Sequence, residues 1–160
     1  MENLDALIED YGNIYDVVKF EFLNEGKLEE ALEILEKEGC EGDLDCNFLK
    51  IEIYFELGLK EYNENNYKKA LEYFNYVTNA LPNWAVAYNH IGLIYAETKE
   101  YENAIENFEK AIQLSDNRFA EAYYNLGYIY HVLEQEEIAK KYYNLACKLD
   151  EESNYSYYEN

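Results

Sequence analysis

The sequence has 160 residues, 49% of them hydrophobic, with only one proline and seven glycines. This length and hydrophobic content fit one helical domain with a buried core. The scarcity of proline and glycine excludes a β-sandwich or barrel, because these folds need many tight turns. Its 34 acidic and 13 basic residues give a net charge of −21. This charge excludes nucleic acid and anionic membrane surfaces as partners, because both attract proteins through lysine and arginine, and it favours a basic protein partner unless the acidic residues serve solubility alone.

The start of the chain is the most acidic part. Residues 1–50 carry 15 acidic and 4 basic residues, and they do not open with the basic and apolar segments of a secretory signal. Nowhere do 18 apolar residues follow one another, as a membrane-spanning helix requires. An odd number of cysteines, Cys40, Cys46 and Cys147, is typical of reduced thiols. We therefore expect a cytoplasmic protein without a membrane segment and without disulfides.

Helical periodicity begins in a first predicted helix pair, over about residues 12–45. Its two helices follow the patterns Tyr15-x2-Val18-Lys19-x2-Phe22 and Leu28-x2-Ala31-x3-Leu35. Apolar residues at steps of three and four give each helix one apolar stripe. The polar stretch over residues 39–46 then predicts a longer loop that ends in helix-capping residues.

Three further helix pairs are predicted over residues 51–84, 85–118 and 120–153, because one pattern recurs three times. The recurring residues are Tyr54, Tyr88 and Tyr123, then Gly58, Gly92 and Gly127, and then Ala70, Ala104 and Ala139. The glycines are 34 and 35 residues apart, and so are the alanines. The one extra residue is therefore expected in the loop over residues 115–119, where it costs little. Residues 154–160 are a tail.

Each pair is predicted to be two antiparallel helices joined by a short polar turn. The recurring glycines and alanines are small, which lets two helix axes approach closely, and large aromatic side chains fill the space where the axes diverge. Pro82 predicts the end of one helix, and Asn83 is a candidate N-cap of the next.

These residues resemble the tetratricopeptide repeat family, whose pattern of Trp/Tyr-x2-Leu-Gly-x2-Tyr, Ala-x3-Phe and a closing proline recurs over roughly residues 12–151. The resemblance implies an all-α, right-handed superhelical solenoid of antiparallel helix pairs, in a single domain over residues 1–160. Three repeats are clear, and the opening repeat is degenerate because Lys19 replaces the glycine. Glu61 replaces an aromatic residue in the first clear repeat. The family implies a concave groove that binds peptides or partner proteins, and hence an adaptor.

By the same resemblance, the first helix of each repeat lines the groove. The side chains it would present are Phe20, Glu52, Phe55, Leu59, Tyr62, Asn89, Leu93, Glu121, Tyr124, Asn125, Tyr128 and His131. Such a groove is aromatic and acidic and suits a segment with lysine or arginine beside apolar residues. Asn89 and Asn125 are candidates to hydrogen-bond a peptide backbone. Because this face has no cluster of lysine and arginine, we do not expect the carboxylate clamp with which some family members hold chaperone tails.

No sequence motif of a nucleotide-binding site, a zinc protease or a serine hydrolase is present. His90 and His131 lie in different repeats, and packed or surface histidines are commoner than metal ligands. We therefore predict no enzyme activity, no metal and no cofactor. Second-helix tyrosines such as Tyr73, Tyr76 and Tyr142 are expected to serve packing only. Any one aromatic residue of the predicted groove has the same alternative.

The last repeat raises a second hypothesis. An internal repeat exposes apolar surface to its missing neighbour, and the polar residues after Leu149 are too few to form a capping helix. Ile129, Val132, Tyr142 and Leu145 are then expected to stay partly exposed. This predicts a weak homodimer through the C-terminal repeat, and a structural, self-assembling protein as the alternative to an adaptor.

Overall fold

The computed structural model describes residues 7, 9, 11–23, 26–38 and 43–155 and, within them, every side chain but those of residues 20, 38 and 151–155. All regular secondary structure in these ranges is helical, which confirms the all-α prediction. The helices are α1 (Ile14–Val17, continuing as a π-helical segment over Val18–Leu23), α2 (Leu28–Glu38), α3 (Leu44–Asn63), α4 (Tyr67–Ala80), α5 (Ala85–Glu97), α6 (Tyr101–Leu114), α7 (Ala120–Val132) and α8 (Glu136–Tyr155). The chain divides into two compact units, Met1–Val77 and Thr78–Asn160.

The helices follow the predicted pairs. The three clear pairs are α3 with α4, α5 with α6 and α7 with α8, and the opening pair is α1 with α2. Four residues (81–84) connect α4 to α5, whereas five residues (115–119) connect α6 to α7. The extra residue of the longer period therefore lies in the predicted loop.

The turn within each clear repeat has one residue in the left-handed region. Asn65, Lys99 and Glu134 adopt φ angles of 61°, 63° and 59°. In the middle turn, the backbone N–H groups of Lys99 and Glu100 donate to carbonyl oxygens of the last turn of α5 at 3.1 and 2.8 Å. This pair of bonds is a Schellman motif, which satisfies carbonyl groups that the end of a helix leaves without partners. The same closure in every repeat returns the second helix antiparallel to the first.

Helix α3 begins at Leu44, before the predicted repeat start at residue 51, because Asp43 caps it. The Oδ1 atom of Asp43 accepts hydrogen bonds from the N–H groups of Asp45 and Cys46 at 3.0 and 3.1 Å. The expectation of a capping residue in this stretch is thus confirmed. In the opening repeat, the first helix widens to a π-helix around Lys19, the residue that replaces the glycine of the pattern.

The prediction of Asn83 as an N-cap is wrong. Helix α5 begins at Ala85, so its N-cap is Trp84, whose side chain makes no capping hydrogen bond. The repeat register, and not the nearest capping side chain, decides where this helix starts. At the other end of the chain, α8 continues to Tyr155, two residues into the predicted tail. Residues 156–160 lie outside the described part of the chain.

The first unit has a core formed by α1, α2 and α3. The fully or nearly fully buried members are Val18, Ala31, Leu35, Cys46, Leu49, Ile53 and Leu57. Cys46 is disulfide-bonded, whereas Cys147 is an exposed, free thiol. The prediction of three reduced thiols is therefore wrong. An odd number of cysteines does not exclude a disulfide, because one thiol, here that of Cys147 in the other unit, can stay free.

In each clear repeat the small glycine of the first helix receives an aromatic ring from the second helix. The pairs are Gly58 with Phe74, Gly92 with Phe108 and Gly127 with Tyr143. A Cβ atom built on these glycines would lie 2.8, 2.6 and 2.7 Å from the nearest ring atom. Only a residue without a side chain leaves room for the ring, so these contacts fix how the two helices of a pair meet.

Tyrosines on the second helices pack, as predicted. The ring of Tyr76 stacks on Tyr54 with centroids 3.8 Å apart, and that of Tyr142 stacks on Tyr130 at 5.4 Å. Ile129 is fully buried, so its expected partial exposure is wrong; α7 turns this residue toward the core of the second unit. Within the described ranges, no helix is both long and apolar enough to span a bilayer.

Candidate functional site

The candidate face of the second unit lies on α7. Glu121, Tyr124, Asn125 and Tyr128 follow one another at steps of three, one and three residues, so they share one side of the helix. Tyr124 is 58% exposed and Tyr128 is 51% exposed, and Glu121 is exposed as well. Two neighbouring, half-exposed aromatic rings bordered by polar groups form an apolar patch of the kind that binds partners. We call these four residues the α7 face.

Asn89 on α5 is nearly inaccessible, at 1% exposure, and links two residues of the α7 face. Its Nδ2 donates to Oε1 of Glu121 at 2.8 Å, and its Oδ1 accepts from Nδ2 of Asn125 at 3.0 Å. The structure thus brings three of the predicted residues together. Because both ends of the Asn89 amide are engaged, this residue positions Glu121 and Asn125. Asn125 is half-buried, and its contact with a ligand backbone stays a prediction.

Tyr143 on α8 supports the exposed tyrosine pair. Its ring lies against Gly127, and its centroid is 5.2 Å from that of Tyr124. Burial raises the pKa of the Tyr143 hydroxyl, and the neighbouring Tyr124 and Glu136 raise it further. The Tyr143 hydroxyl therefore keeps its proton well above neutral pH, and this supporting ring carries no phenolate charge.

The C-terminal end of the α7 face meets a carboxylate from α8. Nδ1 of His131 and Oε1 of Glu136 are 2.8 Å apart, and both side chains are more than half exposed. Sequence reasoning missed Glu136 and Tyr143 as members of the site. Glu136 contacts His131 across the turn between two helices, and helical periodicity does not predict contacts across a turn. Tyr143 stands at the repeat position of the buried Phe74 and Phe108, which indicated packing alone.

Positive charge is scarce along this part of the chain. Residues 119–139 contain no lysine and no arginine, although they contain four glutamates. Burial lowers the pKa of the half-buried His90, and Glu121 opposes this only in part. His90 therefore adds no charge to the site near neutral pH. The α7 face is aromatic and acidic.

The candidate residues of the first unit are less open. They are Glu52, Phe55, Leu59 and Tyr62, all on α3. Glu52 is exposed, whereas the other three are half-buried. The rings of Phe55 and Tyr62 lie 5.5 and 5.9 Å from aromatic rings of α4, so they take part in the packing of their own repeat.

Two predicted residues remain to be placed. Leu93 of α5 is half-buried and packs against the core of the second unit. Phe20 falls in the π-helical segment of the opening repeat, and its side chain lies outside the described part of the chain. Of the predicted site, the α7 face is thus the part where accessible rings, a carboxylate and amide groups meet.

Antiparallel helix pairs with a glycine-to-ring contact in each clear pair define a helical repeat protein. Two family models match its second half: one described as TPR repeat matches residues 92–133, and one described as tetratricopeptide repeat matches residues 120–153. The second half of the chain therefore matches tetratricopeptide repeats, as its sequence pattern indicates.

Relatives and solved structures agree with this assignment. Anaphase-promoting complex subunit 6 of Arabidopsis thaliana is 27% identical over 105 residues, which are 63% of this chain and 19% of that protein. The chain spans less than a fifth of the length of the curated relatives that it matches. The crystal structure of MamA is 24% identical, with a TM-score of 0.69 over 94% of this chain and 85% of that chain.

The TPR2B domain of yeast Sti1, in a structure described as a complex with pHsp70, is also similar. It is 21% identical, with a TM-score of 0.63 over 66% of this chain and 84% of that chain. Together, these similarities confirm the predicted tetratricopeptide repeat solenoid as the fold of this protein.

Proposed function

We propose that the protein is a non-catalytic adaptor that binds a peptide or protein segment on the α7 face. The observation that carries this proposal is the exposed ring pair of Tyr124 and Tyr128, which Tyr143 supports from α8. Rings that are already ordered lose little conformational entropy when a ligand covers them. A ligand that buries both rings therefore gains most of the hydrophobic contribution of that surface.

The family and its members support an interaction role. Proteins of this fold are generally interaction modules. The Sti1 domain is described in a complex with pHsp70, and the Arabidopsis relative is named as a subunit of a larger complex. A scaffold that holds another protein is therefore the function class that we propose, and catalysis is not part of it.

The ligand that we propose carries lysine or arginine beside apolar side chains. The net charge of −21 accelerates the encounter with a basic segment, and it makes nucleic acid and anionic membranes poor partners. No metal or cofactor takes part in the proposed binding. A cytoplasmic location stays a prediction, and the disulfide of Cys46 argues against it, because such bonds are rare in reducing compartments.

The proposal is tested by affinity capture from a lysate of the source organism, with wild type beside a Tyr124→Ala/Tyr128→Ala variant. We expect a partner that wild type enriches and the double variant loses. Phe48→Ala is the matched control, because Phe48 is also exposed, at 52%, but lies on α3 in the first unit. Circular dichroism checks that all variants fold. Equal capture by wild type and by the double variant would reject the α7 face as the binding site.

The outward face of α8 supports self-assembly as a second candidate function. Ile138 is 40% exposed, and Leu145 lines a shallow depression of about 540 Å³ together with Lys140, Lys141 and Lys148. Three lysines on one helix face are unusual in a chain with 34 acidic residues. They offer local attraction to an acidic surface of a second copy, beside an apolar contact.

Leu145→Glu tests this second candidate. Tyr142 is unsuitable for the purpose, because its stacking on Tyr130 means that a substitution would also disturb the fold. We expect light scattering at increasing concentration to show a weak dimer for wild type and a monomer for Leu145→Glu. Val86→Glu, at a partly exposed position of α5, is the control and should still dimerise. A wild-type protein that stays monomeric at high concentration would exclude the self-assembling function.

A further inference from the structure

Two carboxylates border the exposed tyrosine pair of the α7 face at opposite ends. Glu121 lies one helical turn before Tyr124, and Glu136 meets His131 just beyond the turn that contains Tyr128. The ten steps along the chain from Glu121 to His131 span about 15 Å of helix axis, at about 1.5 Å per residue. The face therefore has an acidic group at each end and aromatic rings between them.

The first carboxylate is held in place before any ligand arrives. The buried amide of Asn89 donates to Oε1 of Glu121 and, at the same time, binds Asn125. A carboxylate has about four acceptor positions, so one neutral amide donor leaves most of its capacity and all of its charge. Since Glu121 is exposed, that charge is available to a cation from solvent.

The second carboxylate is exposed as well. The Glu136 side chain is 54% exposed, and its Oε1 atom lies 2.8 Å from Nδ1 of His131. Residues 119–139 carry no lysine or arginine. Of the two cations that flank this stretch, Arg118 lies three residues before Glu121, and Lys140 pairs with Glu137 at 3.0 Å. A guanidinium or ammonium group at either end would also lie near a tyrosine ring and gain a cation–π contribution.

We infer that the α7 face recognises a dibasic segment in extended conformation, with two lysine or arginine residues four positions apart. One cation binds at Glu121 and the other at Glu136, and an apolar side chain between them covers Tyr124 and Tyr128. The spacing follows from geometry, because an extended chain rises about 3.3 Å per residue, so four steps cover about 13 Å, and side chains four positions apart lie on the same side of the chain. This inference rests on the proposed function and specifies its ligand.

Synthetic peptides test the inference without knowledge of the natural partner. The probe is acetyl-Arg-Ala-Leu-Ala-Arg-amide, and its control replaces both arginines by citrulline, which has the same shape but no charge. A second control, acetyl-Ala-Arg-Leu-Arg-Ala-amide, keeps the charge and shortens the spacing. Binding is measured at low salt by two-dimensional NMR titration, which detects weak complexes and reports on the residues of α7.

We expect the first peptide to bind about tenfold more tightly than the citrulline peptide, and more tightly than the peptide with short spacing. Glu121→Gln and Glu136→Gln should each weaken binding about two- to fivefold, as for exposed ion pairs. Glu106→Gln, an exposed glutamate of α6, removes the same charge elsewhere and should leave binding unchanged. Added salt should weaken binding of the arginine peptide and not that of the citrulline peptide.

Two results would overturn the inference. Equal affinity for the arginine and citrulline peptides would show that the α7 face does not recognise the charge of the ligand. The absence of binding by both peptides would contradict the inference as well. Equal affinity for both arginine peptides would show that the α7 face does not recognise the spacing of the two cations. The adaptor function fails separately, because its test is whether the Tyr124→Ala/Tyr128→Ala variant still captures the natural partner.

Discussion

Replacement of Phe108 by alanine is expected to lower the free energy of unfolding by about 3–5 kcal/mol, the range for a buried phenylalanine. Phe108 is 0% exposed and belongs to the core that α6 and α7 form in the second unit. Its ring also fills the space beside Gly92, where a Cβ atom would lie 2.6 Å from Cε1 of the ring. Alanine leaves a cavity between α5 and α6. Urea unfolding followed by circular dichroism measures the loss.

Gly92→Ala examines the same contact from the other helix. In wild type the added methyl group meets a ring that is buried on all sides, so we expect a loss of about 1–3 kcal/mol. In the Phe108→Ala background the ring is absent, and the better helix propensity of alanine contributes about 1 kcal/mol. The same substitution should therefore destabilise wild type and stabilise the Phe108→Ala variant.

A control substitution on α6 separates this contact from general effects. Glu106 is exposed, so Glu106→Ala should change stability by less than about 0.5 kcal/mol. If Gly92→Ala costs the same with and without the Phe108 ring, the two residues are not coupled and the proposed packing role of the glycine is wrong.

The glycine-to-ring contact explains why the clear repeats are predictable from sequence. In each clear repeat an aromatic residue follows the glycine by sixteen positions, and the close contact needs both residues. Gly58 is followed by Phe74 in this way, whereas Lys19 of the opening repeat is followed by Leu35, a smaller side chain. Leu35 is buried at 1% exposure, so the opening repeat keeps its core residue but loses the close contact. There the helix becomes π-helical, a detail that no sequence pattern indicates.

Burial of the site residues is less predictable, because it depends on what covers a given repeat position. Asn89 and Tyr124 occupy the same position of successive repeats, 35 residues apart. Asn89 is 1% exposed because Glu121 and Asn125 of α7 cover and bind it, whereas Tyr124 is 58% exposed. Among the described residues, no helix covers α7 as α7 covers α5. Periodicity therefore predicts which side of a helix a residue occupies, and the neighbouring repeat decides whether ligands can reach it.

Capping and disulfide bonding also lie beyond the repeat pattern. Asp43 caps α3 as its residue type predicts, but Asn83 lies one residue too early for α5, where Trp84 occupies the N-cap. The difference arises because the packing of the repeat fixes the start of α5. The bond at Cys46 depends on which thiols meet in the folded unit, and an odd count of three cysteines cannot give that information.

Reduction of the disulfide at Cys46 is expected to destabilise the first unit by about 2–4 kcal/mol, since a cross-link restricts the unfolded chain more than the folded one. Cys46 is 0% exposed and packs in the core of that unit, in the first turn of α3. Urea unfolding with and without dithiothreitol should therefore give different midpoints. Cys46→Ala should lower the midpoint by a similar amount and make it independent of dithiothreitol.

Cys147→Ser is the matched control, because Cys147 is an exposed, free thiol of the second unit. It should leave the midpoint and its dependence on dithiothreitol unchanged. A thiol assay on the urea-unfolded protein should find one reactive thiol before reduction and all three of the chain after it. Three thiols before reduction would contradict the disulfide. If one thiol reacts before reduction but dithiothreitol does not change the midpoint, the disulfide is present but contributes nothing to the stability of the first unit.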